Sequence, residues 1–594
     1  MTSHRVVSNR QKLIYPIFLF ISGFVVGVLM LNMETLLGRT YQKSRQRKLD
    51  SVVYDPSTSE TTSYIAKATP RNYEDVDSKH GLCIKDWHGL FFPYNRYNRF
   101  AMEWVGIIDE LEWAIENRKT ESDVDSFAND DSSILIGTGS LGMTSPERTR
   151  VILQRRTYYV GDTIHVTLET FDGNGRRRMR GGDFFEAVMM TTQPFRGTTG
   201  KVVDYLNGTY SIYFYAGWSG DATIRIGLSF TRETINFLNT VVRPQEQRVL
   251  WNVDFRKDGE IYNTTCGLKN EGIWSNVCEY SIEAAIGKTV YLCDKHENIG
   301  CAGIETVRTT IRLLDEMAER FNLVANNSAF FESRGGQVGD PIGVLIKEPD
   351  VINRRLNLPE CGPDLPIPLL DGYWLGKTSY RSLVCRARHW SPGSFKRCLS
   401  GRTITLFGDS TLGQIHDIIK RRFGYAEVDH YFPAFKIGPN PASFWEQSFA
   451  VNVINGIRDE RCNSTIFIMN LSFHFSSWTT RAYLERLLHI KHTLKQLLIR
   501  CPGIPILIKG SHPRENDYTE QSIHSSNWIF FDMNRMMRRV MGGLGIMFID
   551  VWDMCASYYS KTLVHMPDDV IEQEVHLMTS YICPSTTLSE HEMK

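Results

Sequence analysis

The sequence predicts three consecutive structural parts: an N-terminal membrane-spanning helix, an immunoglobulin-like β-sandwich and a C-terminal α/β domain. Three observations predict this order. An uncharged apolar run lies at Leu13 to Met33, short alternating runs separated by turn sequences fill residues 131–250, and strand-like runs alternate with helix-like runs after residue 366. A chain of 594 residues is long enough for about three or four domains.

The apolar run from Leu13 to Met33 is about long enough to span a bilayer, and no clear cleavage site follows it. We expect an uncleaved signal anchor, with residues 1–12 in the cytosol. More basic residues follow the run than precede it, which favours the opposite orientation. The cysteines and glycosylation sequons described next favour a lumenal chain. The sequence therefore predicts a single-pass type II membrane protein of the Golgi lumen or the cell surface.

Composition argues against a nucleic-acid partner and for a disulfide-bonded glycoprotein of the secretory pathway. The 67 basic residues balance 67 acidic ones. The 12 cysteines show no CxxC spacing and no HExxH accompanies them, so we expect disulfides, and neither a metal nor another cofactor. Four Asn-x-Ser/Thr sequons are predicted to carry glycans. They are at Asn207, Asn263, Asn326 and Asn463, and a fifth sequon begins at Asn470.

The remaining boundaries follow from changes in composition. Residues 34–130 comprise a polar stem and an aromatic, helix-like segment, and residues 131–250 form the predicted sandwich. Residues 251–365 are irregular and contain cysteines, with a helical pattern from Thr306 to Phe321, and we interpret them as a linker region. Residues 366–594 form the predicted α/β domain. Besides the stretch described next, its predicted elements are strands at Ser464–Asn470, Ile504–Lys509 and Gly545–Val551 and helices at Thr480–Arg500 and Met533–Met541.

The stretch from Gly401 to Arg422 combines a buried strand with an amphipathic helix, and Gly408, Asp409 and Ser410 lie between them. A serine hydroxyl at such a turn lies near the helix N-terminus, whose free N–H groups favour a developing negative charge. Serine esterases place their nucleophile in this way. The alternative is that Ser410 only caps the helix while Asp409 completes the turn.

Further motifs carry a resemblance to a known family. In the sandwich region they are Thr149–Ile152, Val160–Asp162, Gly181–Phe184, Gly200–Asp204 and Asn207–Tyr210; in the C-terminal region they are Leu406–Leu412, Ile508–Arg514, Asp550–Met554 and Ser580–Cys583. In this order the motifs resemble the NXPE family. Its members combine a neurexophilin-like sandwich with a PC-esterase domain of the SGNH hydrolase superfamily. The resemblance implies that the C-terminal α/β domain is SGNH-hydrolase-like.

The resemblance also implies roles for individual residues. The nucleophile falls on Ser410, in a turn with Gly408 and Asp409, and the base falls on His565. Asn470 would help to stabilise the oxyanion, although a glycan there would obstruct the site. His474 matches a loop histidine of the family, with either a catalytic or a local structural role. His576 competes with His565 for the role of base, but its helical, apolar surroundings favour a packing role.

Two departures from the family pattern concern activity. Related domains carry an aspartate where this chain has Thr562, three residues before His565, and an arginine where it has Gly413. Asp550 or Asp553 is the candidate replacement for the missing acid. Whether the chain is an active enzyme is therefore left open by the sequence.

Two functions follow from the resemblance. The first is a membrane-anchored lumenal glycan O-acyltransferase or esterase that works through a serine acyl-enzyme on a carbohydrate or glycoprotein, with an acyl donor that the sequence does not identify. The alternative is a catalytically degenerate adhesion or ligand protein, whose sandwich binds a cell-surface protein.

Overall fold

The structure is a computed structural model that describes residues 142–584 apart from several gaps. These gaps are 206, 247, 270–273, 282–286, 297–298, 310–328, 333–335, 350–357, 364, 366–369, 435–441, 445–447, 516–518 and 560–563. The predictions for residues 1–130, for Asn326 and for Thr562 therefore lie outside the described residues.

Two sheets built from strands between residues 150 and 382 pack face to face. The four-stranded antiparallel sheet has the order β1–β3–β7–β6 and the larger sheet the order β17–β16–β5–β4–β8–β15–β2, with β14 paired to β8. The strands are β1 Arg150–Leu153, β2 Thr157–Tyr159, β3 Thr163–Glu169, β4 Phe184–Thr192, β5 Phe195–Thr199, β6 Lys201–Asp204, β7 Thr209–Tyr215, β8 Gly220–Phe230, β14 Gly336–Gln337, β15 Ile342–Lys347, β16 Gly372–Leu375 and β17 Tyr380–Ser382. Alternating apolar residues of β3, β7, β4 and β8 form their shared core.

A third sheet follows, antiparallel and six-stranded, in the order β11–β12–β10–β9–β13–β20. Its strands are β9 Leu250–Lys257, β10 Glu260–Lys269, β11 Val277–Ser281, β12 Val290–Asp294, β13 Ile304–Thr309 and β20 Ala442–Ser443. Disulfides join Cys266 to Cys293 and Cys278 to Cys301 within it. Further disulfides are Cys361–Cys385, Cys398–Cys583 and Cys462–Cys501, so the predicted disulfide framework is confirmed.

The fourth sheet is five-stranded and wholly parallel, in the order β19–β18–β21–β22–β23. Its strands are β18 Thr403–Phe407, β19 Val428–Tyr431, β21 Thr465–Met469, β22 Ile506–Lys509 and β23 Met547–Ile549. Parallel strands require covered faces. The carboxyl ends of these strands all lie at one edge, where the loops that follow them meet.

The helices are short in the first half of the described chain and longer around the parallel sheet. They are α1 Arg232–Phe237, α2 Ala329–Glu332, α3 Pro392–Cys398, α4 Ser410–Arg421, α5 Ala450–Asn455, α6 Thr480–Arg500, α7 Thr519–His524, α8 Asn527–Met541, α9 Trp552–Ala556 and α10 Asp568–Ile582. Single turns of 3₁₀ helix lie at Cys301–Gly303 and Phe473–Phe475, a longer one at Asp459–Ser464, and a π-helical turn at Leu238–Val242.

Both faces of the parallel sheet are buried because successive strand residues point to opposite sides. On one side Ile404 and Leu406 pack in a core with apolar residues of α4 and α10. On the other, Phe467 and Met469 pack with α6, α8 and the six-stranded sheet. The alternation seen in the sequence therefore describes a sheet packed from both sides.

The predicted fold class is wrong. The described chain is mostly β-sheet and contains four sheets, where the sequence predicted one immunoglobulin-like sandwich followed by an SGNH-hydrolase-like α/β domain. The eight-stranded sheet is not local in sequence: β16 pairs with β5, bringing Trp374 opposite Gly197. Residues predicted to be irregular form most of the six-stranded sheet. The helix predicted from Thr306 is likewise replaced at its start by β13, whose residues pair with β9.

None of the helices in the described residues combines the length and the apolar character needed to cross a bilayer. The run from Leu13 to Met33 itself lies outside the described residues.

Candidate active site

Ser410 is the first residue of α4 and follows β18 after Gly408 and Asp409, at the carboxyl edge of the parallel sheet. The helix forms here because Leu412, Ile415 and Ile418 recur at helical spacing and are fully buried against the sheet. The first amides of a helix have no intrahelical acceptor. The Ser410 hydroxyl therefore lies at the positive end of the helix dipole.

His565 comes from the segment before α10, and its Nε2 lies 2.7 Å from Ser410 Oγ. At this distance the serine hydroxyl donates to an unprotonated Nε2, which is the relationship between a nucleophile and its general base. His565 is exposed and Ser410 is half-buried. The structure thus brings together two residues that are separated by 155 positions in sequence.

Asp550 and Asp553, the two candidate acids, have other partners. The Asp550 carboxylate accepts hydrogen bonds from Arg538 Nη2 at 2.7 Å and from Trp552 N at 2.9 Å. Asp553 Oδ2 accepts from the Asp371 amide at 3.0 Å, and burial raises the pKa of Asp553. In the part of the chain that the structure describes, no carboxylate hydrogen-bonds to His565.

Asp550 faces a separate cavity of about 130 Å³. Arg538, Tyr380 and Asp371 also line it, whereas Ser410 and His565 do not. Burial, together with the nearby carboxylates of Asp553 and Asp550, raises the pKa of Asp371 well above its usual range. The hydrogen bond from the Asp371 amide to Asp553 joins the start of β16 to α9, and Ser410 and His565 are not part of this group.

Asp409 caps α4 and is fully buried. Its Oδ1 accepts from the amide of Thr411 at 2.9 Å and from the Thr411 hydroxyl at 2.7 Å. Its Oδ2 accepts from the amide of Phe473 at 3.2 Å, in the loop that follows β21. Asp409 therefore fixes the turn around Ser410 and ties it to the neighbouring loop.

Gly408 is required by the close approach of two elements. A Cβ at this position would lie 2.7 Å from Leu412 Cδ1 and 3.1 Å from Asn470 Cβ, closer than ordinary packing allows. Its carbonyl accepts a hydrogen bond from His430 Nε2 at 2.9 Å. Burial lowers the pKa of His430. Because a carbonyl can only accept, His430 carries a proton on Nε2 in this contact.

Asn470 ends β21 beside Gly408 and is fully buried. Its Oδ1 accepts from the amide and the hydroxyl of Ser472, at 3.1 and 3.0 Å. Among the described residues its Nδ2 has no hydrogen-bond partner, which leaves an amide donor available at the strand edge. Because the side chain is enclosed, the sequon that begins at Asn470 cannot carry a glycan in the folded chain. His474 is half-buried in the 3₁₀ turn Phe473–Phe475, edge-on to Phe432.

Three of the sequons predicted to carry glycans lie on the surface. Asn207, Asn263 and Asn463 are all exposed. Asn207 Oδ1 accepts from the amide of Thr209, and Asn263 donates to Asp254 at 2.8 Å. Their surroundings leave room for a glycan, and their modification remains a prediction.

His576, the competing base, packs in the interior. It is 3% exposed, its Nδ1 accepts a hydrogen bond from the amide of Trp390 at 3.1 Å, and its ring contacts His389. Burial lowers the pKa of His576 to about 3. His576 therefore has the packing role that its helical, apolar surroundings predicted, and it accepts one backbone hydrogen bond.

Sequence reasoning missed three side chains that support the site: His430, Gln414 and His512. Gln414 Nε2 donates to the carbonyl of Met566 at 2.9 Å, and His512 Nε2 lies 3.1 Å from the carbonyl of Val564. His512 belongs to the motif Ile508–Arg514, and Gln414 is one helical turn after Ser410, so both carried a signal. Their partners are backbone carbonyls, which no side-chain pattern reveals.

Behind this site is a buried charged group. Lys509 Nζ lies 3.5 Å from Glu574 Oε2, and neither side chain is exposed. Ligand-type atoms of His512, Cys555 and Glu574 lie within 4.8 Å of one another. Burial and the neighbouring Glu574 raise the pKa of the Cys555 thiol well above its usual range. Lys509 already supplies the positive charge that Glu574 requires, so we interpret the group as a buried ion pair with polar neighbours.

Two family models match this chain. Residues 152–334 match the Neurexophilin family, and residues 427–583 match the C-terminal domain of proteins like NXPE family member 4. The chain belongs to the NXPE family. This confirms the resemblance found in the sequence. The matched C-terminal region of this NXPE protein contains Asn470, His512 and His565 and begins after Ser410.

Two solved structures show a weak likeness to this NXPE protein. Invasin, a bacterial integrin-binding protein, matches at 12% identity and a TM-score of 0.13, over 35% of this chain and 41% of invasin. A Bacteroides vulgatus protein assigned as a glycoside hydrolase matches at 7% identity and a TM-score of 0.14, over 71% of this chain and 77% of its own. Similarity at this level carries no argument about fold or activity.

Proposed function

We propose that this NXPE protein is a serine esterase or O-acyltransferase that acts on a carbohydrate or glycoprotein through an acyl-enzyme. The observation that carries the proposal is the 2.7 Å contact between His565 Nε2 and Ser410 Oγ at the N-terminus of α4. A serine that only caps a helix needs no imidazole hydrogen-bonded to its hydroxyl, whereas a nucleophilic serine needs such a base to take its proton.

The reaction divides into two half-reactions. Ser410 Oγ attacks the acyl carbonyl while its proton passes to His565 Nε2, and His565 then returns that proton to the departing alcohol. This leaves an ester on Ser410. In the second half-reaction His565 takes a proton from water or from a sugar hydroxyl, whose oxygen attacks the ester and releases Ser410. Water as acceptor gives an esterase, and a sugar hydroxyl gives an acyltransferase.

Two donors support the negative oxygen of each tetrahedral intermediate. One is the amide of Ser410 in the first turn of α4, and the other is Asn470 Nδ2, which has no hydrogen-bond partner in the described part of the chain. Gly408 lets Asn470 approach the turn before Ser410 closely, which supports the assignment of both donors to one carbonyl oxygen.

The proposed setting is the lumen of the secretory pathway or the cell surface. Five disulfides and three exposed sequons fit an oxidising, glycosylating compartment. Carbohydrate substrates are abundant there. The choice of a carbohydrate or glycoprotein rests on the family and on this compartment.

One observation favours the second candidate, a non-catalytic protein that binds a cell-surface protein. Among the described residues, His565 has no carboxylate partner to orient its ring or stabilise its charged form, a contribution worth about 10⁴ in the rate of serine proteases. A degenerate site would retain the fold and lose the reactivity.

Labelling with a fluorophosphonate probe separates the two candidates. We expect the wild-type protein to label, and Ser410→Ala and His565→Gln to lose the signal while staying folded. Ser400→Ala is the matched control, because Ser400 is an exposed serine before β18. Equal labelling of wild type and Ser410→Ala would contradict the esterase and favour the binding protein.

A further inference from the structure

The segment that carries His565 is held by hydrogen bonds to the carbonyls on both sides of it. Gln414 Nε2 donates to Met566 O at 2.9 Å, and His512 Nε2 donates to Val564 O at 3.1 Å. We propose that Gln414 and His512 are positioning residues that aim the His565 imidazole at Ser410, in place of an orienting carboxylate. This inference rests on the proposed function.

Gln414 couples the base to the nucleophile through one rigid element. It lies four residues after Ser410 on α4, so the two side chains share a face of the helix. The helix that presents the hydroxyl therefore also holds the backbone next to His565. Any shift of α4 moves both reacting groups together, which preserves the 2.7 Å contact.

His512 holds the backbone on the N-terminal side of His565, from the interior of the protein. It is fully buried in the loop after β22, and its ring packs on Phe473 at a centroid distance of 5.0 Å. A carbonyl can only accept, so His512 must carry a proton on Nε2. The ion pair of Lys509 and Glu574 lies behind His512 and fixes its surroundings.

The arrangement replaces the orienting role of a triad acid with backbone geometry. An exposed imidazole can change its rotamer and its position, and a displacement of about 1 Å can lower the reaction rate about 100-fold. With the carbonyls of Val564 and Met566 both held, the Cα of His565 has little freedom. Its ring then requires only side-chain rotation to meet Ser410.

The test measures the rate constant for fluorophosphonate labelling of the full chain in three variants. Gln414→Met and His512→Leu each remove a donor while keeping similar volume, and we expect each to slow labelling about 10- to 100-fold. His512→Gln retains an amide donor near the position of Nε2, and we expect it to recover most of the rate. Gln573→Met is the matched control, because Gln573 also donates to a backbone carbonyl, that of Thr378.

Hydrogen exchange of the peptide that contains residues 564–566 provides a readout independent of activity. We expect faster exchange there in Gln414→Met and His512→Leu, and wild-type exchange in His512→Gln and Gln573→Met. Unchanged labelling and exchange in folded Gln414→Met would overturn the proposal, as would equal slowing by His512→Gln and His512→Leu.

The two proposals fail in different ways. If the wild-type protein does not label at all, the proposed esterase is contradicted, and exchange alone then decides whether the two hydrogen bonds hold the segment. If His512→Leu does not fold, Gln414→Met and His512→Gln still decide the outcome.

Discussion

The buried carboxylate of Asp409 joins two loops of the site, because its Oδ2 accepts from the amide of Phe473 at 3.2 Å while its Oδ1 caps α4. This contact sets the turn of Ser410 against the loop that follows Asn470. Asp409 thus has a structural role in the candidate site, with both oxygens occupied by protein donors.

Replacing Asp409 by asparagine should loosen this junction. One oxygen can still accept from Thr411, but the new amide would direct a donor at the donor of Phe473. We expect a loss of about 1–3 kcal/mol in the free energy of unfolding and slower probe labelling of Ser410. Urea unfolding measures the first effect. Asp417→Asn, at a largely exposed carboxylate on the same helix, should change stability by less than about 1 kcal/mol. Equal effects of the two substitutions would contradict this role.

Replacing two glycines near Ser410 by alanine, one at a time, should change the free energy of unfolding in opposite directions. The new Cβ of Gly408→Ala would meet Leu412 and Asn470, and we expect a loss of about 1–3 kcal/mol in the free energy of unfolding. In Gly413→Ala the new Cβ would lie 3.4 Å from His430 within α4, and we expect a gain of about 0.5–1 kcal/mol. Thermal unfolding of the two variants checks the signs. A neutral Gly408→Ala would mean that β18 and β21 do not approach so closely.

Glycan mapping should find Asn470 unmodified. Its side chain is fully buried and bonded to Ser472, whereas Asn463 in the same region is exposed. Mass spectrometry of peptides from protein secreted by cultured cells, after enzymatic glycan release in heavy-oxygen water, measures occupancy at both sites. A glycan on Asn470 of folded protein would contradict the enclosed position described here.

The buried His576 should make the protein sensitive to acid. Its pKa is about 3 in the folded chain, lowered by burial and by His389, against an ordinary value of about 6.5. Below about pH 6.5 the unfolded chain binds a proton that the folded chain does not, so stability falls with decreasing pH until about pH 3. The slope from this one group is at most about 1.4 kcal/mol per pH unit.

The variant His576→Asn tests this dependence, because its carbonyl oxygen can still accept from Trp390. We expect a flatter loss of stability between about pH 6.5 and 3 than in the wild type, measured by chemical unfolding at each pH. Parallel curves for the two proteins would show that another group causes the acid sensitivity.

Elements with a strong local pattern could be predicted from the sequence. The strand and helix around Ser410 lie where alternation and helical spacing placed them, and α6 has the predicted bounds Thr480–Arg500. These segments carry apolar residues whose period matches one structure only. The family motifs likewise predicted the pairing of Ser410 with His565.

Strand pairings and side-chain contacts between residues distant in sequence could not be predicted. The helical pattern predicted from Thr306 begins inside β13, which pairs with β9, and β16 pairs with β5, which lies far away in sequence. Tertiary pairing overrides local preference in β13. The acidic residues near β23 illustrate the same limit, since spacing alone did not show that Asp550 pairs with Arg538.

The most direct test of the proposed acyl-enzyme is intact-protein mass spectrometry after mixing with an activated acetyl ester. We predict a transient gain of one acetyl group, localised to Ser410 by peptide mapping and absent from Ser410→Ala. Acetylation of wild type and Ser410→Ala to the same extent, or on other residues only, would contradict the account.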